Sequence, residues 1–216
     1  MSYILNIDTS TKNCSVSLSK DNICLIVNEI AEENYCHAEK LHSFISNVLK
    51  KRSITFNDLS AIAISKGPGS YTGLRIGVSA AKGLCFALDI PLIALDTLTV
   101  LAHQINTNDA FIVPVLDARR LEIYCTVLNY KFETISPIEA HILSENSFLE
   151  HTNPLIFIGD CISKCQEIIT YSNAQFINSY PSAKEMCNLS FQKFKNNEFE
   201  NCAYFEPFYL KDFILK

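Results

Sequence analysis

The sequence predicts an α/β protein of two duplicated lobes with mixed sheets. Two observations carry that reading. The chain opens on a three-strand meander followed by alternating helices and strands, and the strand, aspartate, turn and strand around Asp8 recur around Asp117. Hydrophobic residues make up 48% of the 216 and charged residues 19%, enough to build a core and too apolar for extensive disorder.

Residues 3–7 are apolar and end in the polar turn Asp8-Thr9-Ser10-Thr11, after which residues 14–18 alternate as a strand does. Lys20-Asp21-Asn22 turns the chain into a third strand over 23–30. From Asn34 the period becomes helical, with Ala38, Leu41, Ile45 and Val48 on one face down to Lys50. A strand over 61–65 meets Gly67-Pro68-Gly69, which cannot continue a ladder. Leu74, Val78, Ala81, Leu84 and Cys85 then restore helical spacing. Residues 91–95 form the next strand, and Asp96 or Thr97 caps a helix through Ile105.

The second half repeats the opening. An apolar run over 111–116 ends in Asp117-Ala118-Arg119-Arg120 and is followed by alternating Leu121, Ile123, Cys125 and Val127. Beyond it come a strand at 155–158, a helix at 163–170, a strand at 175–177 and a helix at 182–194. The expected lobes are residues 1–106 and the smaller 107–216, with a boundary near 106–109 that no Pro/Gly/Ser-rich linker marks.

Charge narrows the function classes. With 18 Lys+Arg against 23 Asp+Glu the net charge is -5, so the chain has no global attraction for a phosphate backbone and unassisted nucleic-acid binding is not expected. The compact basic groups, Lys50-Lys51-Arg52 and Arg119-Arg120, read as solvated faces. Nine scattered cysteines without a CxxC pair read as small buried hydrophobes. Cys161 and Cys165 share a helix face but lack the second Cys/His pair a structural zinc needs. The first residues lack signal-peptide features, and no stretch reaches the roughly twenty apolar residues of a membrane helix, so a reducing, cytoplasmic location is expected.

The segment 66–77, KGPGSYTGLRIG, lies between a strand and a helix, where a glycine-rich loop can present N–H groups to an anion. It lacks the Lys-Ser/Thr of a P-loop, and Gly73 falls one residue too late for a dinucleotide fingerprint. Thr72 stands where a nucleophile elbow around Ser70 needs glycine or alanine. A tight packing turn and a phosphate cradle both remain open on these grounds.

The longer string KGPGSYTGLRIGVSAAKGL, from Lys66 to Leu84, closely resembles the signature of the TsaB family. Ile7-Asp8-Thr9-Ser10, His37-Ala38-Glu39, Asp117-Ala118-Arg119-Arg120 with Glu122 and Tyr124, and Pro207-Phe208-Tyr209-Leu210-Lys211 match in order. The resemblance is strong over the first half and patchy from Tyr130 to Asn201. It implies an actin-like, sugar-kinase-like (ribonuclease H-like) ATPase fold. It also implies a non-catalytic, glycoprotease-like subunit in tRNA threonylcarbamoyladenosine modification, working with a TsaD-type transferase subunit and a TsaE-type ATPase subunit. tRNA is then reached only through the complex, a homodimer can form when the chain is alone, and no membrane is involved. No cofactor is expected on this chain, with ATP, magnesium and a metal in the partner subunits.

A TsaD-like metal site uses a His pair four residues apart, whereas His37 and His42 are five apart and would point roughly 140° from each other on a helix. His103, His141 and His151 read as isolated. Asp8, Thr9, Ser10 and Asp117 occupy strand ends where the superfamily handles a magnesium-bound nucleotide. The first turn lacks the glycine that lets phosphate approach the backbone, so a vestigial site is expected at most. A stand-alone ATP-dependent enzyme is the alternative, and a metalloprotease a third. The loop residues Gly67, Pro68, Gly69, Ser70, Thr72 and Gly73 are expected to be structural. The expected partner surface comprises Leu41, Phe44, Ile45 and Val48 on the first helix and Leu74, Ile76, Ala80, Gly83 and Leu84 on the second, because the two carry more apolar residues than one core-facing stripe requires.

Overall fold

The computed structural model describes residues 1–32 and 37–211. Its first elements are β1 (Tyr3–Asp8), β2 (Asn13–Lys20), β3 (Ile23–Ala31), α1 (His37–Lys51), β4 (Leu59–Gly67), α2 (Tyr71–Leu88), β5 (Leu92–Asp96) and α3 (Thr97–Ala102). They are followed by β6 (Phe111–Asp117), β7 (Glu122–Leu128), β8 (Thr134–Ile142), β9 (Leu155–Gly159), α4 (Ile162–Ile168), β10 (Ala174–Asn178) and α5 (Ala183–Lys195). The part of the expected first helix before His37, and Cys36 with it, lies outside the described residues.

The duplication is visible in the topology. One sheet has the order β3-β2-β1-β4-β5 and the other, read from its far edge, β8-β7-β6-β9-β10. In each, the first three strands pair antiparallel and the remaining two join in parallel on the other side of the first. Asp8 and Asp117 therefore end equivalent strands. β8 escapes the sequence reading because it is an edge strand: it has an exposed face, Pro137 within it and only a weak apolar alternation.

The chain divides into Met1–Val100 with Pro181–Tyr209, and Leu101–Tyr180 with the residues from Leu210. This corrects the expected lobes of 1–106 and 107–216, because α5 returns to the first sheet. Helical periodicity reveals that a helix exists but not which sheet will cover its apolar stripe.

In the first unit the alternation of the strands creates two unlike faces. Leu5, Ile7, Cys14, Val16, Leu18, Ile62 and Ile64 face α1 and α2, which bury Leu41, Ile45, Val48, Leu49, Val78, Ala81 and Cys85 against them. On the opposite face Ile4, Ala61, Ala63 and Ile93 meet Ala183 and Met186 of α5. Beside this apolar patch the contact is made of hydroxyls and amides. Ser17 Oγ donates to Ala183 O at 2.6 Å, and Ser15 Oγ accepts from Ala183 N at 2.8 Å. Ser190 Oγ donates to Asn6 Oδ1 at 2.6 Å, and Asn13 Nδ2 to Pro181 O at 3.0 Å. Asn6, Asn13, Ser15 and Ser17 of β1 and β2 are thus satisfied by the covering helix and the segment just before it. In the second unit Val113, Val115, Ile123, Cys125, Leu155 and Phe157 pack with Ile162 and Cys165 of α4.

Candidate functional site

The turn after β1 and the glycine loop after β4 are one packed object. Ser70 N donates to Ser10 O at 2.6 Å and Thr9 Oγ1 to Gly73 O at 2.7 Å. A Cβ on Gly69 would lie 2.3 Å from Ser10 O, and one on Gly73 would lie 2.1 Å from Thr9 O, so these positions are glycine because backbone passes directly over backbone. Gly77 continues the contact, with Thr9 Oγ1 2.2 Å from its would-be Cβ. Ser70 caps α2 by accepting from Gly73 N at 3.3 Å. The C-terminal motif closes the other side: Phe208 N donates to Lys66 O at 2.8 Å, and Arg75 Nε donates to the Tyr209 hydroxyl at 3.2 Å. His37 Nε2 lies 2.7 Å from Thr11 O, the geometry of an N–H donated to a carbonyl, and burial holds its pKa below the ordinary histidine value.

This arrangement does not fit a nucleotide phosphate at the first turn. Ser10 N and Oγ both donate to Asp8 Oδ1, at 2.9 and 2.7 Å, and the loop backbone fills the space over Thr9 and Ser10. Asp8 is fully buried, and desolvation raises its pKa despite the Ser10 hydrogen bonds. Beyond the Ser10 donors, Ser65 is the further hydroxyl neighbour that favours its charged form. Gly69, Ser70 and Gly73 pack on that turn, Gly67 meets Phe208 and Leu74, and Pro68 is buried, whereas Thr72 is exposed.

In the second unit Asp117 pairs with Lys164 and accepts from Arg119 N at 3.2 Å, while Asp117 N donates to Asp160 Oδ1 at 2.9 Å. Burial first, then the Asp117 charge, raises Asp160 to about 6. Lys211 pairs with Glu122 and donates to Ala118 O at 3.4 Å, so the motif residues 117–122 and 211 form a charged cluster. Among the described residues no group of three His, Cys, Asp or Glu side chains could hold a metal ion. His42 is exposed on α1 while His37 is buried.

His103, His141 and His151 are each held by neighbouring side chains. His103 stacks on Phe132, and His151 lies edge-on to Phe111. His141 sits between Glu139 Oε1 at 3.0 Å and Ser147 Oγ at 2.8 Å, a sequence of groups that imitates a hydrolytic triad. However, Ser147 Oγ already accepts from Ser144 N at 2.9 Å, and Ser147 is buried. The adjacent cavity is about 40 Å³, room for water but not for a peptide. The relay fastens the turn after β8.

The expected partner surface divides in two. Leu41, Ile45, Val48 and Leu74 are buried under α1 and α2 in the first core and cannot meet a partner, which corrects that part of the expectation. Their spacing is that of the core-facing stripes themselves, and the surplus apolar residues are the ones beside those stripes. Phe44, Ile76, Ala80 and Leu84 are half-buried, and Gly83 is exposed with no atom within 4 Å of a would-be Cβ. Phe86, absent from the expected surface, is 88% exposed on the same helix. Its place in the apolar run after Gly83 was the available signal.

Two sheets of one topology, each ending its first strand in an aspartate, define the class: an α/β protein of the actin-like ATPase type. Residues 26–214 match the family described as TsaD: tRNA N6-adenosine threonylcarbamoyltransferase. The tRNA threonylcarbamoyladenosine biosynthesis protein TsaB of Bacillus subtilis is 33% identical over 171 residues, covering 77% of this chain and 74% of that protein. The protein of the same name from Haemophilus influenzae is 35% identical over 127 residues, 56% of this chain and 51% of the relative. The structure of YeaZ from Pseudomonas aeruginosa superposes with a TM-score of 0.86 over 97% of this chain and 100% of that one, at 23% identity. The chain belongs to the TsaB family. No helix among the described residues is long and apolar enough to cross a membrane.

Proposed function

We propose that this chain is the non-catalytic, activating subunit of the complex that forms threonylcarbamoyladenosine on the adenosine beside the anticodon of tRNA, acting by binding a TsaD-type transferase subunit. Family membership supports the process, since the curated relatives bear the name tRNA threonylcarbamoyladenosine biosynthesis protein. The mode of action rests on one observation, the outward face of α2. Ser79, Gly83, Phe86 and Ala87 are exposed along it, flanked by half-buried Ile76, Ala80 and Leu84, so a large aromatic anchor stands beside a position where another backbone can approach closely. On this reading a TsaE-type ATPase subunit, ATP, magnesium and a metal belong to the assembled complex, and the same face accounts for self-association when the partner is absent.

Co-purification with the transferase subunit of the same organism, followed by a tRNA modification assay, tests the reading. Phe86→Asp should leave the melting temperature unchanged, because the ring is exposed, and weaken binding by at least tenfold, the loss of an anchor worth about 2 kcal/mol. Parent-like binding by the folded variant would move the interface off α2. ATP turnover by the isolated chain at about one per second would replace the subunit reading with a stand-alone enzyme.

A further inference from the structure

Six of the eight described cysteines lie in thiol–thiol contacts: Cys24 with Cys187, Cys85 with Cys202, and Cys161 with Cys165. The first pair differs from the others in where it sits. Cys24 is on β3, opposite Ser19 of β2 and beside an irregularity in the register between Leu18 and Ser19. Cys187 is on the buried face of α5, with Sγ 3.2 Å from Ser17 Oγ and 3.7 Å from Asn6 Nδ2. The pair spans the contact between the outer strand of the sheet and the helix that covers it. Cys24 is partly exposed, whereas Cys187 is buried. We propose that Cys24 and Cys187 form a peroxide-reactive dithiol, in which Cys24 meets the oxidant and Cys187 converts the product into a disulfide joining β3 to α5.

The chemistry closes without a further reagent. The Cys24 thiolate attacks a hydroperoxide, forming an S–O bond as the O–O bond breaks. The departing alkoxide or hydroxide takes a proton and leaves as alcohol or water, with Cys24 as sulfenic acid. Cys187 then attacks that sulfur: the S–S bond forms, the S–O bond breaks, and hydroxide leaves with the Cys187 proton as water. Two thiols lose two electrons and the peroxide gains them.

Selectivity follows from the three environments. The Cys187 hydrogen bond pulls Cys24 down to about 7, and Lys184 favours its thiolate while Glu185 opposes it. Burial pushes Cys85 up to about 12, so that buried thiol stays protonated and cannot act as the resolving nucleophile for its neighbour. Cys161 and Cys165 are both buried, so an oxidant in solvent cannot reach them. Cys24 combines access with thiolate character, and its neighbour is close enough to intercept the sulfenic acid before further oxidation.

The test uses the full, reduced chain. It is exposed to stoichiometric hydrogen peroxide near neutral pH, quenched with iodoacetamide and mapped by non-reducing peptide mass spectrometry. The expected product is one cross-link between the peptides of Cys24 and Cys187, lighter by two hydrogen atoms and reversed by dithiothreitol. Alkylated Cys24 and Cys187 after treatment, a link between another pair, or sulfinic acid accumulating on Cys24 would each overturn the proposal. Separately, the rate of Cys24 alkylation against pH should show a midpoint near the value given above and move upward in Cys187→Ala, with Cys187→Ser as the alternative if alanine fails to fold. A parent midpoint at the ordinary thiol value of about 8.5 would also overturn it.

Discussion

Glycines that look alike in sequence behave as opposites in the structure. At Gly73 an added Cβ would lie 2.1 Å from Thr9 O, with the His37 ring 3.4 Å away, so Gly73→Val should destabilise the fold by about 3 kcal/mol or more, measured by urea unfolding. Gly83 faces open space, and Gly83→Ala should stabilise the isolated chain by up to about 1 kcal/mol through helix propensity while weakening transferase binding. Asp160 offers a pH signature. Its folded pKa, raised to about 6, lies above the ordinary value of 3.8, so protonation favours the folded state and stability falls as pH rises through that window. Asp160→Asn should remove this decline, on the order of 3 kcal/mol, flattening the melting temperature between the two values. The glycines of the loop and its place between strand and helix marked it as special but left a packing turn and a phosphate cradle both open. Its partner was not legible, because nothing local in KGPGSYTG names Thr9 and Ser10 as the backbone it must pass over.

Among the elements, α5 shows how far periodicity reaches. Its existence was readable from the chain, since Ala183, Met186, Cys187 and Ser190 follow helical spacing, while the structure adds the Ser182 cap. Its destination was not, because that stripe is half polar and matches the hydroxyls of β1 and β2, a complementarity seen only when both surfaces are known. Met186 supplies the apolar anchor at full burial, so Met186→Ala should cost about 2 to 5 kcal/mol, whereas Ser17→Ala, which removes the hydrogen bonds of Ser17 Oγ to Ala183 O and Cys187 Sγ, should cost about 1 to 2 kcal/mol. If urea unfolding ranked them in reverse, the hydroxyl contacts would be the stronger fastening. The helices expected to meet a partner were likewise half right. Periodicity placed Leu41, Ile45 and Val48 on one face of α1 but could not show that the sheet uses all of that face.

For the whole molecule, the two sheets were legible as a duplication because a strand ending in aspartate is a local pattern, whereas the division of the chain follows contacts far apart in sequence. A fragment of residues 1–106 should therefore fail to melt cooperatively, since the face formed by Ile4, Ala61, Ala63 and Ile93 lacks its cover. Joining residues 1–100 to 181–209 through a flexible linker should restore a single transition by circular dichroism, and a cooperative 1–106 would overturn this division. The return of α5 also sets a schedule for synthesis. At about 5 to 20 residues per second, the ribosome takes on the order of 5 to 20 seconds to pass from the end of the first sheet to the helix that finishes it. Throughout that interval the nascent sheet exposes the face that α5 will later cover. Along β1 and β2 that face presents Asn6, Ser15, Ser17 and Ser19, groups that water can satisfy until the helix arrives, so the waiting surface offers other nascent chains less to stick to.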